Sequence, residues 1–353
     1  MDIIFNGKIL YRKVTGVERY AWETMRALNC IIEKGEYGIA VPGDYDIAKL
    51  EGLNNFNIIK ISKSKLGFIW DQLTLPIYAR KRKCIIVNLD FTNSILFPGI
   101  STIHDMSFIV NKEFFKNTFK QKIVRLKLRL YCSSTIKSRC PIFTVTNFQK
   151  NEICKYYKIS PDRITVAGNG WQHLNRLGYD DTIFEQYHIQ KGEYYLALSG
   201  NTPNKNFRWI YEVSQNNTKS IFVIVGGNTS ISEDDLSDVN NILYLGYQSD
   251  QRVKSLYKHC KAFIFPSLYE GFGIPPLEAL SVGARIIISN QSCLPEIYGN
   301  SAIYINPYDY SVNLNELVET SIVDYPYNTL NKYSWEKTAI IWHSVLSNIG
   351  KGT

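Results

Sequence analysis

Several common signatures are missing from this chain of 353 residues. It has no run of 18 consecutive apolar residues, which excludes an obvious membrane-spanning helix. The opening residues, MDIIFNGKIL, lack a basic-then-apolar leader, so the expectation is a protein that stays in the cytosol, attached to the inner face of the cytoplasmic membrane if it binds lipid. Seven cysteines, at positions 30, 84, 132, 140, 154, 260 and 293, include no CxxC pair. Their odd number and scatter argue against a disulfide framework and a thiolate zinc site, and they suit a reducing compartment. No metal site is visible, and no cofactor is expected. No GxGxxG follows any predicted strand, which removes the dinucleotide fingerprint of a nicotinamide-dependent dehydrogenase. Low-complexity tracts are absent too. With 45% hydrophobic residues, the length suits two α/β domains, each with its own core.

Acidic residues are outnumbered nearly two to one by cations in the first half. Residues 1–170 carry 27 Lys and Arg against 14 Asp and Glu, a net of +13, while residues 171–353 carry 13 against 18. Two clusters dominate: Arg80-Lys81-Arg82-Lys83, and the run from Lys112 to Arg139. An anionic membrane surface or a nucleic acid would complement them, and a merely solvated face would look the same. From Lys112 to Lys137, one or two basic helices are expected, with Phe114, Phe115, Phe119, Ile123, Leu126 and Leu130 between the cations. Such a segment can lie at a membrane–water interface or bury its apolar side against the protein.

What the chain does have is concentrated between Ala262 and Gly299. Ala262–Phe265 reads as a buried strand that stops at Pro266. Glu270-Gly271-Phe272-Gly273 is a glycine-bearing turn, and a helix is expected from Pro275-Pro276, where proline is tolerated because first-turn amides have no intrahelical partner. Amides at that helix start would favour an anion. Glu270 precedes the glycines and Glu278 is expected on the first helical turn. Carboxylates suit neutral hydroxyls, so a ligand bearing both phosphate and sugar fits this unit better than phosphate alone.

The segment resembles the C-terminal signature of retaining glycosyltransferases of family 4 (glycosyl transferases group 1), whose two glutamates lie eight apart, as Glu270 and Glu278 do; the later LPEIYG also fits. The resemblance implies a GT-B fold: two Rossmann-like domains facing across a cleft, here residues 1–170 on the acceptor side and 171–335 on the nucleotide-sugar side. The last helix, 336–353, would cross back to the first domain. It further implies that Glu278 binds ribose hydroxyls, Glu270 holds hydroxyls of the transferred sugar, and the Gly271, Phe272 and Gly273 amides meet sugar and diphosphate.

Other positions acquire roles by the same resemblance. Gly16, after the first strand, matches the N-terminal glycine loop that reaches toward the diphosphate and the acceptor. His104, delivered with Asp105 by the strand ISTI, would orient the donor sugar, although a lone histidine is more often structural. Lys205, at the mouth of the helix starting at Phe207, would neutralise the leaving diphosphate. Where the family often places an arginine a few residues earlier, this chain has Asn201 and Asn204. Tyr247 would lie in the platform for the nucleotide base. The domain boundary is expected at Asn169-Gly170, with 171–191 as a connector. Trp335, Ala339, Trp342 and Leu346 share one face of the last helix, facing either the first domain or the core of the second.

The expected activity is metal-independent transfer of a hexose or deoxyhexose from a GDP-, dTDP- or UDP-sugar to a lipid-linked or oligosaccharide acceptor in O-antigen or capsule synthesis. A retaining glycosidase also uses two carboxylates, but about 5 Å apart across the anomeric carbon, and Glu278 behind an amide turn suits a diol better. The alternative is a basic nucleic-acid- or membrane-binding α/β protein without transferase activity, which accounts for the charge but not for the Glu270–Glu278 unit.

Overall fold

The computed structural model describes residues 2–61, 67–114, 118–200, 202–227 and 239–351. The chain divides into two compact units: Met1–Lys112, Lys116–Asn169 and Ser334–Thr353 in one, Glu113–Phe115 and Gly170–Tyr333 in the other.

Short, largely apolar runs form the first sheet, entirely parallel: β1 (Ile3–Asn6), β2 (Tyr37–Pro42), β3 (Asn57–Ile61), β4 (Ile85–Asn88), β5 (Ile100–Ile103), β6 (Ile142–Thr144) and β7 (Ile164–Val166). Their order is β3-β2-β1-β4-β5-β6-β7, with Ile3 opposite Tyr37 on one side and Ile85 on the other. Parallel strands need crossover connections, and helices supply most of them: α1 (Gly16–Asn29), a helical passage Gly67–Ile69 and Trp70–Thr74 continuing into α2 (Leu75–Arg82), α3 (Phe119–Lys137) and α4 (Asn147–Tyr157). α1 starts where the sequence places it because Thr15 and Glu18 form a reciprocal capping box.

The C-terminal helix, Trp335–Lys351, belongs to this first unit. Its apolar face is core: Trp342 stacks on Phe143 with ring centroids 3.5 Å apart and donates its indole N–H to the Tyr20 hydroxyl at 2.7 Å. Packing into the core of the second unit, the other expectation for this face, is thereby corrected. α3 also departs from one reading of its sequence. Only its C-terminal end is buried, through Tyr131, Cys132, Ser134, Thr135 and Ile136; Phe119, Ile123, Leu126 and Leu130 face solvent. Phe115 lies outside the described residues.

The second sheet has six parallel strands: β8 (Tyr194–Ser199), β9 (Ile221–Gly226), β10 (Ile242–Tyr244), β11 (Ala262–Phe265), β12 (Ile286–Ser289) and β13 (Ile303–Ile305). The order is β10-β9-β8-β11-β12-β13. The chain first winds outward from β8 on one side and then restarts at β11 on the other, so a crevice opens between the loops that follow these two strands. α5 (Phe207–Asn216), α6 (Asp250–His259) and α7 (Ile274–Ser281) flank the sheet, and Trp209, Phe222, Ile224, Ile264 and Ile287 form the centre of a core on one face. Residues 171–191 are more than the expected connector. They include the short helix Thr182–Gln186 and bury His173, Leu174, Ile183 and Phe184, because large apolar side chains such as the last three are more stable packed than exposed.

Candidate functional site

In the second unit, the loop after β8 and the loop after β11 are joined by hydrogen bonds. Leu268 N–H donates to the Asn204 carbonyl at 2.7 Å, and the Asn204 side-chain amide donates to the Tyr269 carbonyl at 3.0 Å. Asn206 stands in a left-handed conformation, φ 51°, and its side-chain amide reaches the Pro266 and Pro307 carbonyls at 3.2 and 2.9 Å. Asparagine tolerates that conformation better than most residues, which explains its place before α5. The polar motif NKNF thus serves partly as a fastening, with Lys205 left at the crevice.

Lys205 is brought to Glu270. The ammonium lies 2.8 Å from Glu270 Oε1 and 5.0 Å from the centre of the Phe265 ring. The Lys205 side chain is about one quarter exposed and that of Glu270 about one tenth, so the pair is open enough for a ligand to compete for either charge. Glu270 is itself anchored through its backbone, with its N–H donating to Ser292 Oγ at 3.1 Å. Beneath it, the Cys293 thiol donates to the Glu270 carbonyl at 3.3 Å. Burial pushes the thiol pKa well up, with the Glu270 charge adding to the effect, so Cys293 keeps its proton at neutral pH and is no nucleophile.

Gly271, Phe272 and Gly273 form the turn into α7. Gly273 has φ 82°, and a Cβ there would stand 2.9 Å from Leu294 Cδ2, so both conformation and space call for glycine. The Gly273 carbonyl accepts from the Tyr298 hydroxyl. Phe272 is buried edge-on against Tyr333, centroids 5.2 Å apart; its ring is core, and only its backbone faces the turn. The helix starts at Ile274, one residue before the prolines. Of its first four residues only Ile274 and Leu277 have an N–H, so it offers an anion fewer donors than its dipole suggests.

Glu278 is consequently the fifth residue of α7 and lies beyond the first turn, where the sequence had been expected to put it. A different pair of groups fixes it. His173 Nε2 donates to Glu278 Oε1 at 2.8 Å, and the fully buried Tyr257 hydroxyl donates to Oε2 at 3.3 Å. Burial raises the Tyr257 pKa far above its ordinary value, and the Glu278 charge raises it further, so Tyr257 stays a donor. The carboxylate is held by these two groups while its side chain keeps some access to solvent. Sequence reasoning missed His173 and Tyr257. One lies in the stretch read as a connector, the other inside α6, and neither carries a motif.

The other expected positions lie on other elements. Tyr247 follows Gly246 at the end of the edge strand β10, largely exposed, two strands and so roughly 10 Å across the sheet from β8. Asn201 lies outside the described residues. Gly16 and His104 belong to the first unit. A Cβ added to Gly16 would meet nothing within 4 Å, so the turn is open there. His104 is buried edge-on against Tyr20, and its Nε2–H donates to the Leu89 carbonyl at 2.8 Å. Desolvation lowers its pKa despite that bond and nearby acids, which leaves the ring neutral with the lone pair on Nδ1.

Around the β1 and β4 ends of the first sheet, its own switch point, stands a polar network that sequence reasoning did not single out. Asn6 donates to Asn88 at 3.1 Å and accepts from Trp70 Nε1 at 2.9 Å; Lys8 pairs with the buried Asp71, and Arg12 with Asp90 and Glu18. Burial raises the Asp71 pKa against the pull of Lys8. Among the described residues, no group of three or more His, Cys, Asp or Glu is placed to hold a metal ion, and no helix is long and apolar enough to cross a membrane.

Residues 180–324 match the family described as Glycosyl transferases group 1. The O-antigen chain mannosyltransferase B of Escherichia coli is 27% identical over 225 residues, covering 60% of this chain and 58% of that protein. A serotype-specific mannosyltransferase of Escherichia coli is 37% identical over 226 residues, 56% of this chain and 27% of that much longer protein. The chain therefore spans well under two thirds of these relatives. Among solved structures, Anabaena HepE in complex with UDP and glucose superposes with a TM-score of 0.70 at 14% identity, covering 99% of this chain and 100% of that one, a likeness of fold. The region from residue 180 to 324, carrying Lys205, Glu270 and Glu278, is a Glycosyl transferases group 1 domain, and the chain has the paired parallel-sheet architecture of the GT-B fold.

Proposed function

We propose that this protein is a retaining, metal-independent glycosyltransferase that moves a hexose or deoxyhexose from a GDP-, dTDP- or UDP-linked donor to a sugar hydroxyl of a lipid-linked or oligosaccharide acceptor, in O-antigen or capsule synthesis. The observation that carries the reading is the meeting of Lys205 with Glu270 at the β8–β11 crevice, beside a Glu278 whose carboxylate is fixed by His173 and Tyr257. In this reading the donor diphosphate takes the Lys205 ammonium and the Gly271–Gly273 amides, freeing Glu270 for hydroxyls of the sugar. Glu278 accepts from the ribose diol, and neutral His104 orients the sugar. The bond from the anomeric carbon to the phosphate oxygen breaks and its electron pair leaves with the diphosphate. The acceptor hydroxyl bonds the anomeric carbon on the same face and passes its proton to a phosphate oxygen. Stabilising that leaving charge is the protein's main contribution, worth several kcal/mol in comparable sites. The relatives named as mannosyltransferases, one of them of the O-antigen chain, make mannose the first sugar to test. The excess of cations in the first half supports peripheral attachment to the inner membrane face. A basic nucleic-acid- or membrane-binding protein without transferase activity is not favoured, since it leaves the 180–324 match and the paired glutamates without a role.

The test is a donor screen of GDP-mannose, other GDP-sugars, dTDP-sugars and UDP-sugars against lipid-pyrophosphate sugar acceptors, with and without EDTA, read by mass spectrometry and by NMR of the new linkage. One donor yielding a product of retained anomeric configuration, at a rate EDTA leaves unchanged, is expected. Inversion, or activity restored only by a divalent ion, overturns those parts of the reading, and release of free sugar without transfer overturns it entirely.

A further inference from the structure

The outer surface of α2 and α3 has chemistry that the fold itself does not use. α3 carries six cations, Lys120, Lys122, Arg125, Lys127, Arg129 and Lys137, and no acidic residue in its 19 residues. Between them Phe119, Ile123, Leu126 and Leu130 recur at intervals of four, three and four, which places them along one stripe, and all four are exposed, Phe119 by 79% and Leu126 by 59%. The helical passage beside it repeats the pattern. Phe68, Leu73 and Ile77 are exposed, and Arg80, Lys81, Arg82 and Lys83 close its end. Its acid, Asp71, is buried and paired with Lys8, so it does not offset this charge. The two helices form one surface: Lys127 lies over the Phe68 ring at 5.9 Å, and Gln72 bonds the backbone of Asn93 and Ile95 in the loop before β5. That loop adds Leu96, 79% exposed, and Phe97, which lies 5.5 Å beneath the Arg80 guanidinium. A cavity of about 440 Å³ opens there, lined by Pro76, Ala79, Ile86, Leu96, Phe97 and Cys140.

We infer that this face is the docking surface for an anionic phospholipid bilayer, with the apolar stripe entering the acyl boundary, the cations reaching lipid phosphates, and the cavity accepting part of an acyl chain. Two features favour lipid over other anions. Lysine and arginine stems can lie along apolar surface while their charges reach outward, so a mixed stripe suits an interface with oil below and phosphate above. A nucleic acid would meet the same charges but leave Phe119, Leu126 and Leu96 against water or phosphate. The assignment deepens the peripheral-membrane part of the proposed function and does not rest on the transfer chemistry.

The test is flotation of the full chain with vesicles of phosphatidylcholine alone and of phosphatidylcholine with 30% phosphatidylglycerol, an illustrative mixture of about one anionic lipid in three. Binding is expected only with the anionic vesicles, weakening as salt rises. Lys120→Gln with Lys122→Gln should weaken it by about five-fold per cation. Phe119→Ser with Leu126→Ser should weaken it at least ten-fold. Ile322→Ser, at a fully exposed position of the second unit, should change nothing. Nucleotide binding by the same variants, followed by thermal shift with GDP, UDP and dTDP, should match wild type. Equal binding to both vesicle types, unchanged binding by the α3 variants, or concentration-dependent dimerisation lost in those variants would each overturn the assignment. Vesicle binding in a protein that no nucleotide stabilises would leave this surface standing and count against the donor reading.

Discussion

Glu278 is the position where folding and chemistry are most tightly joined, and two substitutions separate them. Replacing it with alanine removes the acceptor of both His173 and Tyr257, two donors from almost completely buried residues. Leaving a buried donor unsatisfied costs about 1–3 kcal/mol, so the pair should cost about 2–6 kcal/mol. For a unit of this size each kcal/mol lowers the melting temperature by about 2–4 °C, which predicts a drop of roughly 4–24 °C in Glu278→Ala. Glu278→Gln keeps one carbonyl oxygen for one of the two donors and should lose about half as much. Its effect on ligand binding should be disproportionate, because a hydrogen bond to a charged acceptor is worth about 1.5–3 kcal/mol, or about 10- to 100-fold in affinity for a nucleoside diphosphate carrying a ribose diol. Differential scanning calorimetry reads the first effect and isothermal titration with GDP, UDP and dTDP the second. Glu278→Ala melting within 2 °C of wild type would refute the buried network, and wild-type nucleotide affinity in Glu278→Gln would refute the diol role.

Two further outcomes follow from the same geometry. Lys205→Gln breaks the ion pair with Glu270 and removes the cation assigned to the leaving diphosphate; kcat should fall by about 100- to 1,000-fold with little change in melting, measured by initial rates alongside a thermal scan. An unchanged kcat would move leaving-group stabilisation elsewhere. His104, with its pKa held below the ordinary 6.5 by burial, binds a proton in the unfolded chain before it does in the fold. Stability attached to it is therefore complete above about pH 6.5 and declines as pH falls toward the lowered value. His104→Gln, able to donate to the same Leu89 carbonyl, should show a smaller loss of melting temperature between pH 7 and pH 5 than wild type does, and an identical slope would contradict a buried neutral ring.

Much of the scaffold was legible without coordinates. Ala262–Phe265 coincides with its sequence-based expectation, because a strand covered on both faces reads as a continuous apolar run. The glycine turn was legible as well, since φ 82° at Gly273 is a conformation that side chains resist. The start of α7 was less so: two prolines mark a first turn but do not say which residue opens it, and a start one residue earlier moves Glu278 just past the first turn.

The amino-acid order alone thus determined which segments become parallel strands, where the charges fall, and that two glutamates flank a glycine turn eight residues apart, all consequences of local period and backbone preference. Only tertiary structure decided that Lys205 meets Glu270 across 65 residues and His173 meets Glu278 across 105, because strand order brings distant loops to one edge. It also decided that the apolar stripe of α3 is uncovered. A helical period tells which residues share a face, but what that face meets depends on how the rest of the chain is packed.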